Sequence, residues 1–445
     1  MKFINPFAYL RSAALIAILS LLAFPSLRAQ QSMTLGEALA ATLENNFDIR
    51  IEEQRAENSR INNTWGAAGR YPSIAINISN GNRLSDIDNP ASFLNGQFSN
   101  IGVNGTADLN WNLFSGFRVS ITKARLEELE RLSDGNVALV VENALQAVIL
   151  QYYDCLVQQE RLVVLESNLA LSRDRYDYVE TKKGLGTGTT FDLLTVENAY
   201  LADSSNLLLQ RLTYDNSLRA LGQLIGLEPG ETVFPSEELR SDFGPYDQAT
   251  LRAKMFGNNL TLQNQFVNLE ILQKDVDLAR ANRYPAINLN LGSTYSTNRF
   301  QLEGRDPASG NQLDYYANFS LNFTLYNGGA VTRGIQNAEV NRRVAEISIG
   351  QMEQSMDYQL VNALAMYDTR RELLSLTEAS LATAKKNLDI AEEKFRNGTL
   401  NSFNYRDVQV AYLSASFSRV QALYNLLDSE TALTRITGGI LDMVQ

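Results

Sequence analysis

Arg70-Tyr71-Pro72-Ser73-Ile74-Ala75 is matched, about 212 residues later, by Arg283-Tyr284-Pro285-Ala286-Ile287-Asn288. Other phrases recur at the same spacing. Leu113-Phe114-Ser115-Gly116 returns as Leu325-Tyr326-Asn327-Gly328, Gly186-Thr187 as Gly398-Thr399, and Asn45-Asn46 as Asn258-Asn259. A register that slips by about one residue over such a span marks a duplicated structural unit, not scattered similarity. The repeat predicts a pseudo-symmetric object, with one copy over 30–228, a proline-marked linker over 229–247 and a second copy over 248–445.

After each Tyr-Pro the chain alternates. Ile74, Ile76 and Ile78 interleave with Ser73, Ala75, Asn77 and Ser79, and Ile287, Leu289 and Leu291 with Ala286, Asn288, Asn290 and Gly292. Two more segments do the same, with Ala107, Leu109, Trp111 and Leu113 in one and Ala317, Phe319, Leu321, Phe323 and Leu325 in the other. Period two means strands, expected over 72–80, 103–115, 285–297 and 315–327. A soluble antiparallel sheet shows the same alternation. Here, however, the polar faces carry Asn, Ser and Thr rather than Lys and Glu, as a wet lumen does. Tyr71, Trp111, Phe114, Tyr284, Phe323 and Tyr326 gather at one end of the strands, as interfacial girdles do. These strands are therefore read as crossing a bilayer, which takes about 9–11 residues each.

The other segments are helical. No proline occurs from 91 to 228 or from 308 to the end, and Leu145, Ile149, Tyr152 and Leu156 form a stripe at helical spacing. Helices are expected at 35–70, 118–183 and 190–225, and again at 248–282, 329–396 and 402–436. A helix over 118–183 would run roughly 100 Å, with half-length helices stacked beside it in a coiled-coil column. Loops near 80–103 and 298–314 are expected to face the exterior.

Composition narrows the chemistry. Lys2, Arg11 and the apolar run Ala13 to Phe24 read as a signal peptide over 1–29. The formal net charge is −11, and losing a leader with three cations and no acid takes it to −14. That disfavours nucleic acid as a partner. The chain has no histidine and a single cysteine, Cys155, in a helical pattern, which reads as a packed thiol. Without histidine, a metal-spaced cluster or a nucleophile motif, neither an enzyme nor a cofactor or metal site is expected.

Four strands cannot close a barrel, since the smallest bilayer barrels use about eight. An open edge in lipid leaves backbone groups unpaired at several kcal/mol each. Copies must therefore combine, and only about twelve strands leave a channel. The ordered combination of the repeat, the Tyr-Pro strand starts, the Leu-Phe-Ser-Gly and Leu-Tyr-Asn-Gly strand ends and the Gly-Thr hairpins resembles the TolC family of outer-membrane efflux proteins. The resemblance covers about 33–440. It implies a mainly α chain with a transmembrane β part, assembled as a homotrimer whose 12-stranded barrel continues into a periplasmic helical tunnel. It also implies outer-membrane lipid around the barrel, a periplasmic membrane-fusion adaptor and an inner-membrane pump as partners. Unlike many family members, this chain has no cysteine after its leader for a lipid anchor.

The resemblance further implies that the hairpin tips at 184–191 and 397–403 contact the adaptor, through Gly184, Leu185, Gly186, Thr187 and Gly188 in one and Gly398, Thr399 and Leu400 in the other. The family often carries two axis-facing carboxylates just past the second tip. The matching positions are Asn404 and Asp407, with Asp192 and Thr195 in the first repeat. Three copies of Asp407 would form an anionic ring, and Asn404 would remove a second one. Arg175, Asp177, Lys182, Arg396 and Arg406 are expected to pair between helices and hold the tip shut. The function expected is an export duct of a tripartite efflux or type I secretion system. The alternatives are a stand-alone porin, which needs only short periplasmic turns, and a coiled-coil protein without a pore.

Overall fold

The computed structural model describes residues 31–89, 96–240 and 242–443. The leader expected over 1–29 lies outside the described residues. In chain order the elements are β1 (Gln31–Met33), α1 (Leu35–Asn45), α2 (Phe47–Asn62), β2 (Ser73–Ile87), β3 (Gly96–Ser115), α3 (Arg118–Gly184) and α4 (Thr190–Leu224). Then follow β4 (Val233–Pro235), α5 (Gln248–Asn258), α6 (Leu260–Ala281), β5 (Ala286–Leu302), β6 (Ala308–Asn322), α7 (Ala330–Arg396) and α8 (Ser402–Ile436), with a short 3₁₀ turn at Leu441–Met443. Three pairs of corresponding helices have equal lengths in the two halves. Both α3 and α7 have 67 residues, both α4 and α8 have 35, and both α1 and α5 have 11.

The long helices meet in the order α4–α3–α8–α7, which leaves α4 and α7 at the edges of the column. Each half has its own apolar cluster near the middle of its long helix. One gathers Leu39, Leu145, Ile149, Tyr152, Leu221 and Ile225. The other gathers Met255, Leu360, Tyr367, Leu423 and Leu426. A third, nearer the tips, joins the two hairpins through Val179, Val196, Leu388, Phe395 and Tyr405. Buried tyrosines fasten the segment that links the halves. Tyr152 donates to the Met33 carbonyl at 2.9 Å and accepts from the Ser236 amide at 3.3 Å, and Tyr367 donates to the Gly244 carbonyl at 2.7 Å. Within that linker, β4 pairs in parallel with β1, a contact no local pattern announces.

The helices expected over 35–70 and 248–282 are each broken. Asn46 is extended (φ −64°, ψ 126°) and caps α2 by accepting from the Asp48 and Ile49 amides; Asn259 (φ −65°, ψ 114°) accepts from the Leu262 amide to cap α6. A side-chain cap satisfies amides that lack a partner at a helix start, so a new helix begins where the old one stops. The same two asparagines reach back to the returning helix of their own half. Asn46 Nδ2 donates to the Leu224 carbonyl at 2.9 Å and Asn259 Nδ2 to the Ile436 carbonyl at 3.1 Å. Gly226 (φ 76°) and Gly438 (φ 72°) complete both knots. A Cβ there would lie 2.8 Å from the Asn45 carbonyl oxygen and 2.4 Å from that of Asn258.

The sheet is antiparallel in the order β2–β3–β5–β6. Its strands run well past the bounds expected from alternation and take in most of the segments 80–103 and 298–314 that were read as exterior loops. The fourth strand stops at Asn322, so Phe323 and Tyr326 follow it rather than belong to it. Leu113 was expected on the apolar face. Instead the register shifts between Asn112 and Phe114, and Phe114 takes the place opposite Ile287. Such a bulge inserts one residue and re-aims the next.

Candidate functional site

Cross-strand register sorts the sheet into two faces. Ile74, Leu109, Leu291 and Ala317 form one row, and Ile78, Gly105, Tyr295 and Leu313 another on the same side. Ile74, Ile76 and Ile78 are 73–77% exposed, an apolar surface no part of this protomer covers. On the other side lie Ser73, Asn110, Asn290 and Asn318, then Asn77, Thr106, Thr294 and Asp314. There Asn112 donates to Asn288 at 3.0 Å, Asn290 to Asn110 at 2.7 Å, and the Tyr316 hydroxyl to Asp108.

The six aromatic residues singled out in the sequence all sit at the helix-proximal end of the sheet. Trp111 Nε1 donates to the Arg70 carbonyl at 3.0 Å, beside Tyr71. Phe117 links Phe114 and Tyr284, with ring centroids 5.4 and 5.8 Å away. Alternation missed a second level on the apolar face, Tyr295 and Tyr315, both exposed. Tyr315 is eight residues from Phe323, about 26 Å along a strand. At the usual tilt of about 40° that is roughly 20 Å of height, close to the apolar band of an outer-membrane barrel.

The two hairpin tips share one construction. The Thr187 amide and hydroxyl both donate to the Lys182 carbonyl, at 2.9 and 3.1 Å, and those of Thr399 to the Lys394 carbonyl, at 2.9 and 3.0 Å. Gly186 (φ 77°) and Gly398 (φ 74°) supply the left-handed residue each turn requires. Gly184 is only the last residue of α3 and has open space around it, so it is not a turn glycine. Leu185 is 75% exposed, whereas Leu400 packs partly against the cluster around Tyr405. Phe191 and Phe403, which the sequence did not single out, are exposed with ring centroids 6.1 Å apart across the tips.

Asp192 belongs to a helix cap. Its amide donates to Thr189 Oγ1 at 3.0 Å, and its carboxylate accepts from that hydroxyl at 2.6 Å. Asn401 plays the capping part in the second repeat, accepting from the Asn404 amide at 2.9 Å. Thr195 turns its hydroxyl back to the Phe191 carbonyl. Asp407 is exposed one turn past Asn404 on the same face of α8.

The expected set of inter-helix ion pairs forms only in part. Asp177 faces Arg173 and Arg396 faces Glu392, each one turn away on its own helix, while Lys182 lies over the Tyr178 ring. A long helix always offers such neighbours. Arg406 alone crosses to another helix to pair with an acid, and that acid is Asp203 of α4, which the sequence reading missed. The signal was present, because Asp203 occupies the buried stripe of Val196 and Leu207. Arg175 is buried beside this pair, and burial, together with the Arg406 charge, pushes its guanidinium down to about 10. Tyr405 stacks on Phe395 with centroids 4.8 Å apart, and burial pushes its phenol up to about 12.

The family described as outer membrane efflux protein matches residues 38–227 and 251–439, one stretch per repeat and together most of the chain. The chain belongs to that family. Among curated relatives, the pyoverdine export outer membrane protein OpmQ of Pseudomonas aeruginosa is 24% identical over 341 residues, spanning 73% of this efflux protein and 67% of the relative. The cation efflux system protein CusC of Escherichia coli O157:H7 is 21% identical over 411 residues, 90% of this chain and 85% of that one. In fold, the efflux protein is similar to the Campylobacter jejuni CmeC outer membrane channel, with TM-score 0.72, 14% identity, and 91% and 85% of the two chains covered. These likenesses favour the export reading over the stand-alone porin and place the efflux protein in the outer membrane.

Proposed function

We propose that three copies of this chain close a 12-stranded barrel continuous with a periplasmic helical tunnel. In this reading they work as the exit duct of a tripartite system with a periplasmic membrane-fusion adaptor and an inner-membrane pump. The observation that carries the reading is the sheet itself. It has four strands, no partner on the outer edges of β2 or β6 among the described residues, and one exposed apolar face. Lipid offers no partner for those edges, so they must meet their counterparts on other copies. The column supports the same closure. Edge helix α4 exposes Leu201, Leu208 and Leu212, and edge helix α7 exposes Leu376 and Ile390 over the same half of the column, two apolar surfaces left without cover in one protomer.

In this reading each repeat supplies two strands and one hairpin. The Asn- and Ser-bearing face lines the lumen, the aromatic residues stand at the lipid boundary, and Leu185, Phe191 and Phe403 meet the adaptor. Asp407 is the carboxylate that faces the axis, since Asp192 is held by its cap. The purified protein should run as an SDS-resistant trimer, conduct ions in planar bilayers, and co-purify with an adaptor and pump. A monomer soluble without detergent would refute the duct.

A further inference from the structure

Eleven residues back from Gly186 along α3, about 16 Å from the turn, a polar cluster is sealed between the two hairpins. Ser172 and Arg175 come from α3, Asp203 from α4, and Arg406 and Gln409 from α8. Ser172 and Gln409 have no exposed surface, and Arg175 and Asp203 are each 2% exposed. Arg406 grips Asp203 with two bonds, at 2.6 and 2.7 Å, and Ser172 donates to the same carboxylate at 2.5 Å. Arg175 Nη1 donates to Gln409 Oε1 at 3.0 Å.

Two atoms are left over. Arg175 Nε and Gln409 Nε2 are both buried and both without a hydrogen-bond partner among the described residues. Both are donors, and the Tyr405 hydroxyl beside them is neutral, so what is missing is a charged acceptor. The charges agree, since two guanidinium groups share the single buried carboxylate of Asp203. A buried cation without a counter-charge is costly, as is a buried donor without an acceptor. Water would accept these bonds but bring no charge, and it would add two protons needing acceptors of their own. A cavity of about 360 Å³ reaches Arg175 from outside. The acids at its rim do not fill the role: Glu392 binds Arg396 at 2.6 Å, Asp177 faces Arg173 at 3.9 Å, and Asp174 is exposed.

We infer that Arg175 Nε and Gln409 Nε2 hold a small monovalent anion of halide size, drawn from solution and sealed between the hairpins. The anion completes a clasp that ties α3 and α4 to α8, so its occupancy sets how firmly the two hairpins of one protomer hold together. The site lies within a single chain and does not depend on the duct reading.

Intact protein in detergent tests this directly. Apparent melting temperature should rise saturably, by about 1–3 °C, as chloride or bromide replaces gluconate at fixed ionic strength, since a ligand that binds only the folded state stabilises it. Crystals grown in bromide should show an anomalous peak within hydrogen-bonding reach of Arg175 Nε. Gln409→Glu places a carboxylate where the anion would sit. That variant should fold, lose the halide response and show no bromide peak. A wild-type melting temperature indifferent to halide would mean that water fills the site and would overturn the inference. So would an unchanged halide response in Gln409→Glu, or a bromide peak without any effect in solution.

Discussion

Asp203→Asn keeps the shape of the side chain and removes the charge that Arg406 binds. Asp203 is 2% exposed at its side chain and Arg406 25%, so the pair is largely sheltered from water. Deleting one partner of a buried ion pair costs about 3–5 kcal/mol, because the remaining charge is stranded. A guanidinium one-quarter open to solvent places this case near the low end, about 3 kcal/mol. At about 1.4 kcal/mol per tenfold, local opening between the hairpins should become roughly a hundredfold more frequent. Native-state hydrogen exchange read by mass spectrometry measures this in peptides covering 168–180, 196–210 and 402–412. Peptides around Tyr152 and Tyr367, in the separate clusters, should keep their protection. The double variant Asp203→Asn with Arg406→Gln should recover part of the loss, since the stranded Arg406 charge is gone and only Arg175 stays unpaired. An exchange gain under about fivefold would put the pair on a par with surface ion pairs and refute the clasp. Simple additivity in the double variant would also refute it.

Asp407→Ala should raise single-channel conductance or weaken block by divalent cations in planar bilayers, and unchanged values would remove Asp407 from the constriction. Glu142 is 4% exposed, its Oε1 has no partner, and burial raises its carboxyl above the usual 4.5 despite the opposing Arg435 charge. A raised folded pKa means the folded state prefers the protonated acid, so this group's contribution is present at low pH and lost as pH rises through the folded value. Glu142→Gln should therefore melt higher than wild type at pH 7.5, with the gap closing toward pH 4.5; a gap that does not vary with pH would contradict this. Cys155, buried and with its thiol pushed up to about 11, should resist iodoacetamide at pH 8 in the folded protein and react after denaturation. Asn259→Ala removes a cap and the bond to the Ile436 carbonyl, about 2 kcal/mol together. Its first loss of exchange protection should come at residues 258–265 and 430–438.

The duplication and the strand starts were legible because Tyr-Pro, Gly-Thr and Asn-Asn are local phrases with local physical causes. The long helices were legible because nothing between residues 118 and 184 interrupts them. The outer halves of the strands were not, because beyond Asn80 and Thr297 apolar residues are sparse and change sides, as Ile87 does after Leu84 and Phe300 after Tyr295, while the pairing continues. Asn46 was visible as a repeated residue but not as a break, since helical periodicity runs through it. The bulge at Asn112 and Phe114 is set by pairing with β5, some 170 residues away in sequence. Asp203 and Arg406 are likewise separated by 203 residues, a distance that spacing alone cannot bridge.

In the proposed barrel, residues 296–302 of β5 and 308–314 of β6 would continue the wall past the outer aromatic level for about 20 Å. Cargo leaving such a pipe would be set down clear of the leaflet below. A greasy molecule released flush with the headgroups would slip straight back into lipid. Let go higher up, it meets water first and has a chance to drift off.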